Sequence, residues 1–476
     1  MEMSESTHIL EGNQTPGDTP ATTPDISSDT YQLVNGDDMK DKDTSSMPMA
    51  SFNFINSIIG SGIIGAPYAL KQAGFGLGLI LIVLVAFLTD YSISLLIYGG
   101  SLSNTNSYQD MMRAAFGRPG FYILTFIQAL YPFIAMISYN VIIGDTITKV
   151  ITRLGGEHLA HTVLGNRQFV IALTTVLVTL PLSLYRNVSK LSKASLVSVV
   201  FILFIVFVII GKAFVIGPHV PSTEGAWSFA NTGVTQSIGI LAFAFMCHHN
   251  SFLIYDSLEM KTEERFGIVT HASVIFAMVC TLILGVTGYA TFTGFSQGDL
   301  LENYCRNDDL MNAIRIIFAL TIMLTYPIEC FVVREVVENS LFVNNTQPAP
   351  LKRHVIITLI VVTLTVVVSM ATDCLSIVLQ LNGVLAAAPL AYIIPPLCVM
   401  RLQQDAIFSL KNVPCIVVCV FGILVMVCGF AMTVVDLVDG ITCSHGKEMA
   451  YCLDANTNAS VILDSLNRTG ATYGAS

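Results

Sequence analysis

Asn53, Asn56 and Gly60 stand at i, i+3 and i+7 in the run FNFINSIIGSGIIGAPYALKQAG and share one face if the run is helical. An amide side-chain carbonyl on that face is a hard oxygen ligand, suited to a small hard cation such as Na⁺. Its alternative role is a hydrogen bond to a neighbouring helix. The same run carries glycines at 60, 62 and 65 and a proline at 67. In a bilayer each freed backbone group costs several kcal/mol. Gly60-Ser61-Gly62 therefore has two explanations. Small residues let two helices touch, or the helix opens where its backbone meets a ligand.

A second polar interruption lies in AFAFMCHHNSFLIYDSLE, where Cys247-His248-His249-Asn250-Ser251 breaks an apolar stretch. A third group lies in LTIMLTYPIE. Thr321, Thr325 and Glu329 are spaced by four, and Pro327 frees the carbonyl one turn earlier. Threonine hydroxyls and a free carbonyl can hold a cation without a formal charge. The alternative is that each threonine bonds its own helix backbone.

Two interrupted helices at matching places in two halves point to an inverted-repeat transporter. Opened backbones there present N–H groups to a carboxylate and carbonyls to a cation. The expected substrate site is Gly60, Ser61, Gly62, Cys247, His248 and Asn250, and the expected Na⁺ site is Asn56 with Thr321 and Thr325. The Na⁺ is a co-transported ion, and no cofactor or other metal is expected.

These residues need a membrane scaffold, and the composition supplies one. Of 476 residues, 53% are hydrophobic and 12% charged, and the mean hydropathy is +0.68. A soluble domain carries about 25% charged residues. A membrane helix needs about 20 mostly apolar residues. Eleven such stretches are read at 50–70, 76–98, 120–151, 168–185, 194–217, 234–257, 270–293, 310–334, 354–372, 375–400 and 413–437. The expected fold is all-α and polytopic, with eleven transmembrane helices. Spans 1–5 and 6–10 form two repeats, about 50–217 and about 234–400, and span 11 is peripheral. Interrupted spans 1 and 6 then occupy equivalent places.

With the N-terminus in the cytosol, most of the 23 Lys and Arg fall on the cytosolic side, among them Arg113, Arg118, Arg186, Lys190, Lys261, Arg265, Lys352, Arg353 and Arg401. This is the positive-inside bias. It places the C-terminal tail, 439–476, outside. Sequons at Asn458 and Asn467 in that tail are candidate glycosylation sites, whereas a sequon at Asn344 faces the cytosol and should stay unmodified. Residues 1–48 are polar and read as a disordered cytosolic tail with no signal peptide.

Eight of the eleven cysteines lie in or at the ends of spans, Cys374 included, and read as small apolar residues. Cys415 and Cys419 share a helix face, but no His or carboxylate joins them to make a metal site. Cys305, Cys443 and Cys452 lie in polar segments and allow one disulfide. Cys443 and Cys452 share the outer tail and are the expected pair.

The segments FNFINSIIGSGIIGAPYALKQAG, YQDMMRAAFG, YPFIAMISYNVIIGDT and AFMCHHNS resemble the sodium-coupled neutral amino acid transporters of the amino acid/auxin permease group. The resemblance covers about residues 50–440. It implies eleven spans, a cytosolic N-terminus, a leucine-transporter-like five-plus-five inverted repeat and one sodium site between spans 1 and 8. It implies sodium-site roles for Asn56 and Thr325, and a neutral amino acid against Ser61, Gly62 and the span-6 break. Many members read Cys-His-Pro in span 6, where this chain has Cys247-His248-His249-Asn250. That departure bears on substrate choice and proton sensitivity.

Ionisable groups within spans are functional suspects. Here they are Asp90, Asp145, Lys212, Asp256, Arg315 and Glu329. For Glu329, on the Thr325 face, a structural ion pair with a nearby basic residue is the expected role. Hydrogen bonding at the break is expected of His248 and His249, with proton coupling as the alternative. The functional expectation is Na⁺-driven transport of neutral amino acids by alternating access, with H⁺ antiport allowed by the resemblance. The plasma membrane is preferred to a vesicle or lysosome. The alternatives are proton-driven transport in vesicular or lysosomal membranes, or amino acid sensing without net transport. An enzyme is the weakest expectation, since the sequence shows no nucleophile elbow, His-Glu-x-x-His motif or phosphate loop. No basic, aromatic surface suggests nucleic acid.

Overall fold

The computed structural model describes residues 45–185, 194–341, 350–372, 374–403, 408–439 and 449–453. The expectations for the 1–48 tail (up to residue 44), Cys443 and the sequons at Asn344, Asn458 and Asn467 lie outside them. Regular structure among the described residues is helical, apart from one bridge between Ser45 and Leu258.

Nine helices among the described residues are long and apolar enough to cross a membrane, and a bent pair makes a tenth span. The bent pair is span 1, Met47–Ile58 and Ser61–Ala73. The others are span 2 (Phe75–Ser103), span 3 (Tyr108–Gly156), span 5 (Leu196–His219), span 6 (Val234–Ser257), span 7 (Glu263–Phe295), span 8 (Asp309–Glu338), span 9 (Leu351–Ala371), span 10 (Leu375–Leu402) and span 11 (Leu410–Val438). The place of span 4 is taken by a shorter apolar helix, Arg167–Ser183, one turn of which, Thr175–Thr179, is π-helical. The order is that expected, and the differences lie at the ends. Span 3 starts earlier than expected because YQDMMRAAF is helical up to a kink at Gly117, where φ is +70°.

Local chemistry sets these boundaries. Asn104 in the left-handed region closes span 2. Asn166 caps span 4 by accepting from the N–H groups of Gln168 and Phe169. Thr262 caps span 7, with Glu263 and Glu264 in the first turn against the positive helix end.

The proximal face is the one on which span 1 begins, and the distal face is opposite. The proximal half of span 1 packs on His248–Ser257 of span 6, and the distal half packs on Val234–Ala244. The two broken helices thus lie antiparallel, half against half, as an inverted repeat requires. Ser45 fastens the proximal end. Its N–H bonds the Ser257 carbonyl at 2.7 Å, and its carbonyl accepts from Glu259 at 3.0 Å.

The distal face corrects the cysteine expectations. Cys452 is bonded to Cys305, not to Cys443. The segment joining spans 7 and 8 folds over the distal ends and meets the chain that follows span 11. Tyr451 packs on Phe292 and Phe295 there and donates to the Asn303 carbonyl at 2.6 Å. Nearness along the chain is outweighed by this packing. Cys374 is also disulfide-bonded rather than a bare apolar residue.

Candidate functional site

The helix of span 1 stops where the glycines predict. Ile59 leaves the helical region with ψ 78°, and Gly60 follows with φ −105° and ψ −146°. The Gly60 N–H turns back to the Ile58 carbonyl at 3.0 Å. A 3₁₀ turn, Ser61–Gly65, then restarts the helix, bent by 46° from the first half. Such a break turns the last carbonyls of one half and the first N–H groups of the next away from helical partners.

Span 6 breaks slightly before the expected place. Its helix stops at Ala244 and restarts at His248, so the irregular residues are Phe245, Met246 and Cys247. His248-His249-Asn250-Ser251, expected to be part of the break, instead form the first turn of the second half. The reason is local. The Asn250 N–H and the Ser251 hydroxyl both return to the Cys247 carbonyl, each at 3.1 Å, and close a helical turn.

The two breaks meet. A Cβ built on Gly62 would lie 2.6 Å from the Ala244 Cα, so only glycine fits. Ser61 faces span 3, with its hydroxyl 3.3 Å from that of Ser138. Tyr139 places its hydroxyl 3.8 Å from where a Gly60 Cβ would be. The Tyr131 ring lies 4.9 Å from the His249 ring, and the Tyr131 carbonyl accepts from Asn382 of span 10 at 3.1 Å. Tyr131, Ser138 and Tyr139 are site-lining residues that the motif analysis did not single out. Tyr131 and Ser138 are seven apart and Tyr139 adjoins Ser138, so the three share one side of span 3, but nothing local in the sequence marks that side as facing the site.

The predicted site residues divide into two groups. Gly60, Ser61, Gly62 and Cys247 line the paired breaks. His248 and Asn250 are held by other spans. The His248 Nε2 lies 3.2 Å from the Ser92 hydroxyl, which in turn donates to the Ala391 carbonyl of span 10. Asn250 donates to the Ser57 hydroxyl at 2.9 Å and ties the proximal halves together. Asn56 is half-buried beside the break. Thr321 and Thr325 donate to the carbonyls of Ile317 and Thr321, each at 2.9 Å, leaving their oxygen lone pairs for another ligand. The Asn53 carbonyl oxygen and both ring nitrogens of His249 are buried without a hydrogen-bond partner.

A family profile described as "Transmembrane amino acid transporter protein" matches residues 43–435. The chain belongs to this transmembrane amino acid transporter family. A family relative from Danio rerio, named "Putative sodium-coupled neutral amino acid transporter 11", is 45% identical over 92% of this chain and 97% of its own. The Homo sapiens protein of the same name is 46% identical over 81% of this chain and 94% of its own. "Vacuolar amino acid transporter 2" of Saccharomyces cerevisiae is 31% identical over 89% of this chain and 90% of its own. Among solved structures, MhsT in complex with L-phenylalanine matches with a TM-score of 0.53 at 11% identity, over 81% of this chain and all of that one. A manganese transporter from Eremococcus coleocola matches with 0.51 at 17% identity, over 89% and 90%. At these identities the two structures speak for the fold alone. The family is one of transporters, not enzymes.

Five of the six ionisable suspects in this family member have partners. Asp90 faces His271 at 2.7 Å, Asp145 pairs with Arg167, Lys212 with Asp308, and Asp256 with Lys261. Arg315 donates to the carbonyls of Leu301 and Tyr304 and to Asn312. Glu329 overturns its expectation. It forms no ion pair among the described residues, although it is only 8% exposed and its Oε2 is buried without a hydrogen bond. Arg334, a basic residue five positions on in the same helix, is engaged instead by the Ser183 carbonyl and the Thr358 hydroxyl, each at 3.0 Å.

Proposed function

We propose that the chain is a Na⁺-driven transporter of neutral amino acids that works by alternating access. The observation that carries this reading is the meeting of the two helix breaks at Gly62 and Ala244. N–H groups at the start of the distal half of span 1 suit the substrate carboxylate. Oxygen atoms of Asn56, Thr321 and Thr325, with freed carbonyls, suit Na⁺. Spans 1 and 6 move together against the rest, since each half of one is packed on a half of the other. The inward Na⁺ gradient supplies the driving force, and a proton can travel outward. The preferred location is the plasma membrane, with the N-terminus cytosolic and the C-terminal tail outside, glycosylated at Asn458 and Asn467.

The test is uptake of radiolabelled glutamine, alanine and asparagine into proteoliposomes, in Na⁺ and in choline, at two pH values, for the wild type and Asn56→Ala. The expected result is uptake that requires Na⁺ and shows a weakened apparent Na⁺ affinity in Asn56→Ala. Uptake that ignores Na⁺ and follows a pH gradient would favour the second reading, proton coupling in a vesicular or lysosomal membrane. That reading is supported by the yeast relative whose name is vacuolar. Amino acid binding without uptake would favour a sensor.

A further inference from the structure

We propose that Glu329 is the counter-charge for the α-ammonium group of the substrate, held between its carboxylate and the rings of Tyr131 and Tyr139. The inference rests on the proposed amino acid site and adds the group that receives its positive end.

The argument starts from cost. An ionised carboxylate buried in a membrane protein without a partner is strongly unfavourable. Glu329 is nine-tenths buried and has no cationic partner among the described residues. The phenols of Tyr131 and Tyr139 lie within its electrostatic reach, and Thr325 stands one turn before it on span 8. A group kept at this cost is expected to be neutralised by something that comes and goes.

Depth places that group at the breaks. Spans 3 and 8 are antiparallel, and the ion pair of Arg153 with Asp309 sets their register at the distal end. From that pair Glu329 lies about 30 Å along span 8, while Tyr139 and Tyr131 lie about 21 and 33 Å along span 3. The carboxylate therefore sits between the levels of the two tyrosines. Tyr139 touches the span-1 break at Gly60, and Tyr131 packs on His249 just past the span-6 break.

The tyrosine side of Glu329 suits an ammonium group, while the Thr325 side faces the proposed cation site. Two aromatic rings beside a carboxylate recognise a nitrogen cation by cation–π attraction and charge-assisted hydrogen bonds. A bare hard cation favours a shell of oxygens. Every amino acid carries the ammonium group whatever its side chain. The proposal therefore predicts a role that does not depend on the side chain.

The test measures binding of L-alanine, L-glutamine, L-leucine and L-lactate to the purified full-length protein in Na⁺, by ligand-induced thermal shift and by competition against uptake. Wild type, Glu329→Gln and Glu329→Asp are compared. The expected result is that wild type binds the three amino acids far better than lactate. Glu329→Gln loses about tenfold or more in affinity for all three by a similar factor, the scale of a charge-assisted hydrogen bond. Glu329→Asp recovers part of the loss. A loss confined to one side chain, or no loss, overturns the proposal. A change in Na⁺ affinity with amino acid affinity unaltered also overturns it and assigns the carboxylate to the cation. If Glu329→Gln does not fold, Tyr131→Phe and Tyr131→Leu keep the question open to test. Phe should retain amino acid over lactate preference and Leu should lose it, and equal behaviour would sink the idea. Amino acid binding by the wild type that is indifferent to these changes leaves the transporter reading intact, whereas a wild type that binds no amino acid removes both.

Discussion

Gly62 of span 1 and Ala244 of span 6 touch backbone to backbone at the point where both helices break. A Cβ on Gly62 would lie only 2.6 Å from the Ala244 Cα. Gly60, two residues away, has room, with the Tyr139 hydroxyl at 3.8 Å as its nearest obstacle. The contrast yields a prediction. Gly62→Ala must push one broken helix off the other and should abolish uptake, whereas Gly60→Ala should keep most of it. Uptake per molecule at the membrane, with surface amount measured separately, checks this. Equal tolerance of the two changes would remove the contact from the mechanism.

How much of this was legible in the sequence follows from where each signal lies. The span-1 break could be read because glycine and proline have local effects on a helix. The span-6 break begins before its polar residues, because Phe245 and Met246 are apolar and give no sign that they leave the helix. Its first polar residues, His248 to Ser251, are the restart. Tyr131 and Tyr139 were not singled out because a tyrosine in an apolar span has no local mark of facing a site. Glu329 stands out in the sequence as a charge in an apolar span, but its lack of an ion pair among the described residues depends on where Arg334 points, and that is decided by spans 4 and 9. The Cys305–Cys452 bond joins residues 147 apart, so only the packing of Tyr451 over the distal loop could reveal it.

That bond supports a second prediction. Non-reducing peptide mapping should recover Cys305 joined to Cys452. Cys452→Ser should lower the melting temperature by several degrees, since removing a native crosslink is typically costly. Labelling of Cys305 by a thiol reagent in the unreduced wild type would contradict the assignment.

Asp299, in the same distal loop, supports a prediction about pH. Burial, then the neighbouring Glu302 carboxylate, pushes it up from 3.8 to about 7, against the Leu301 N–H bond and the charges of Lys149 and Arg315. Asp145 also lies within electrostatic range. The folded state therefore binds this proton more tightly than the unfolded chain. The stabilisation is fully present below pH 3.8 and is lost as pH rises through about 7. Its upper bound is about 4 kcal/mol. Asp299→Asn keeps an oxygen for the Leu301 N–H and removes the titration. Melting curves from pH 4 to 8 should show a smaller fall with pH in Asn than in wild type, and parallel curves would refute the shift.

Lys149 and Glu302 hold that loop to span 3 through a buried ion pair at 3.1 Å, with side chains only 4% and 8% exposed. Lys149 also donates to the Glu302 carbonyl at 3.1 Å. The turn that carries Glu302, Leu300–Asn303, packs on the distal half of span 1, so the pair braces the broken helix. Breaking a buried pair from one side leaves an uncompensated charge, at a cost of about 3–5 kcal/mol. Lys149→Met or Glu302→Leu alone should each be strongly destabilising. The double change should recover most of the loss, because two apolar groups of similar volume carry no desolvation cost. The four proteins form a double-mutant cycle read by thermal melting in detergent. A double mutant as unstable as the sum of the singles would show that the pair does not act as a unit. Loss of uptake in a single mutant that melts normally would instead give the brace a part in the transport cycle.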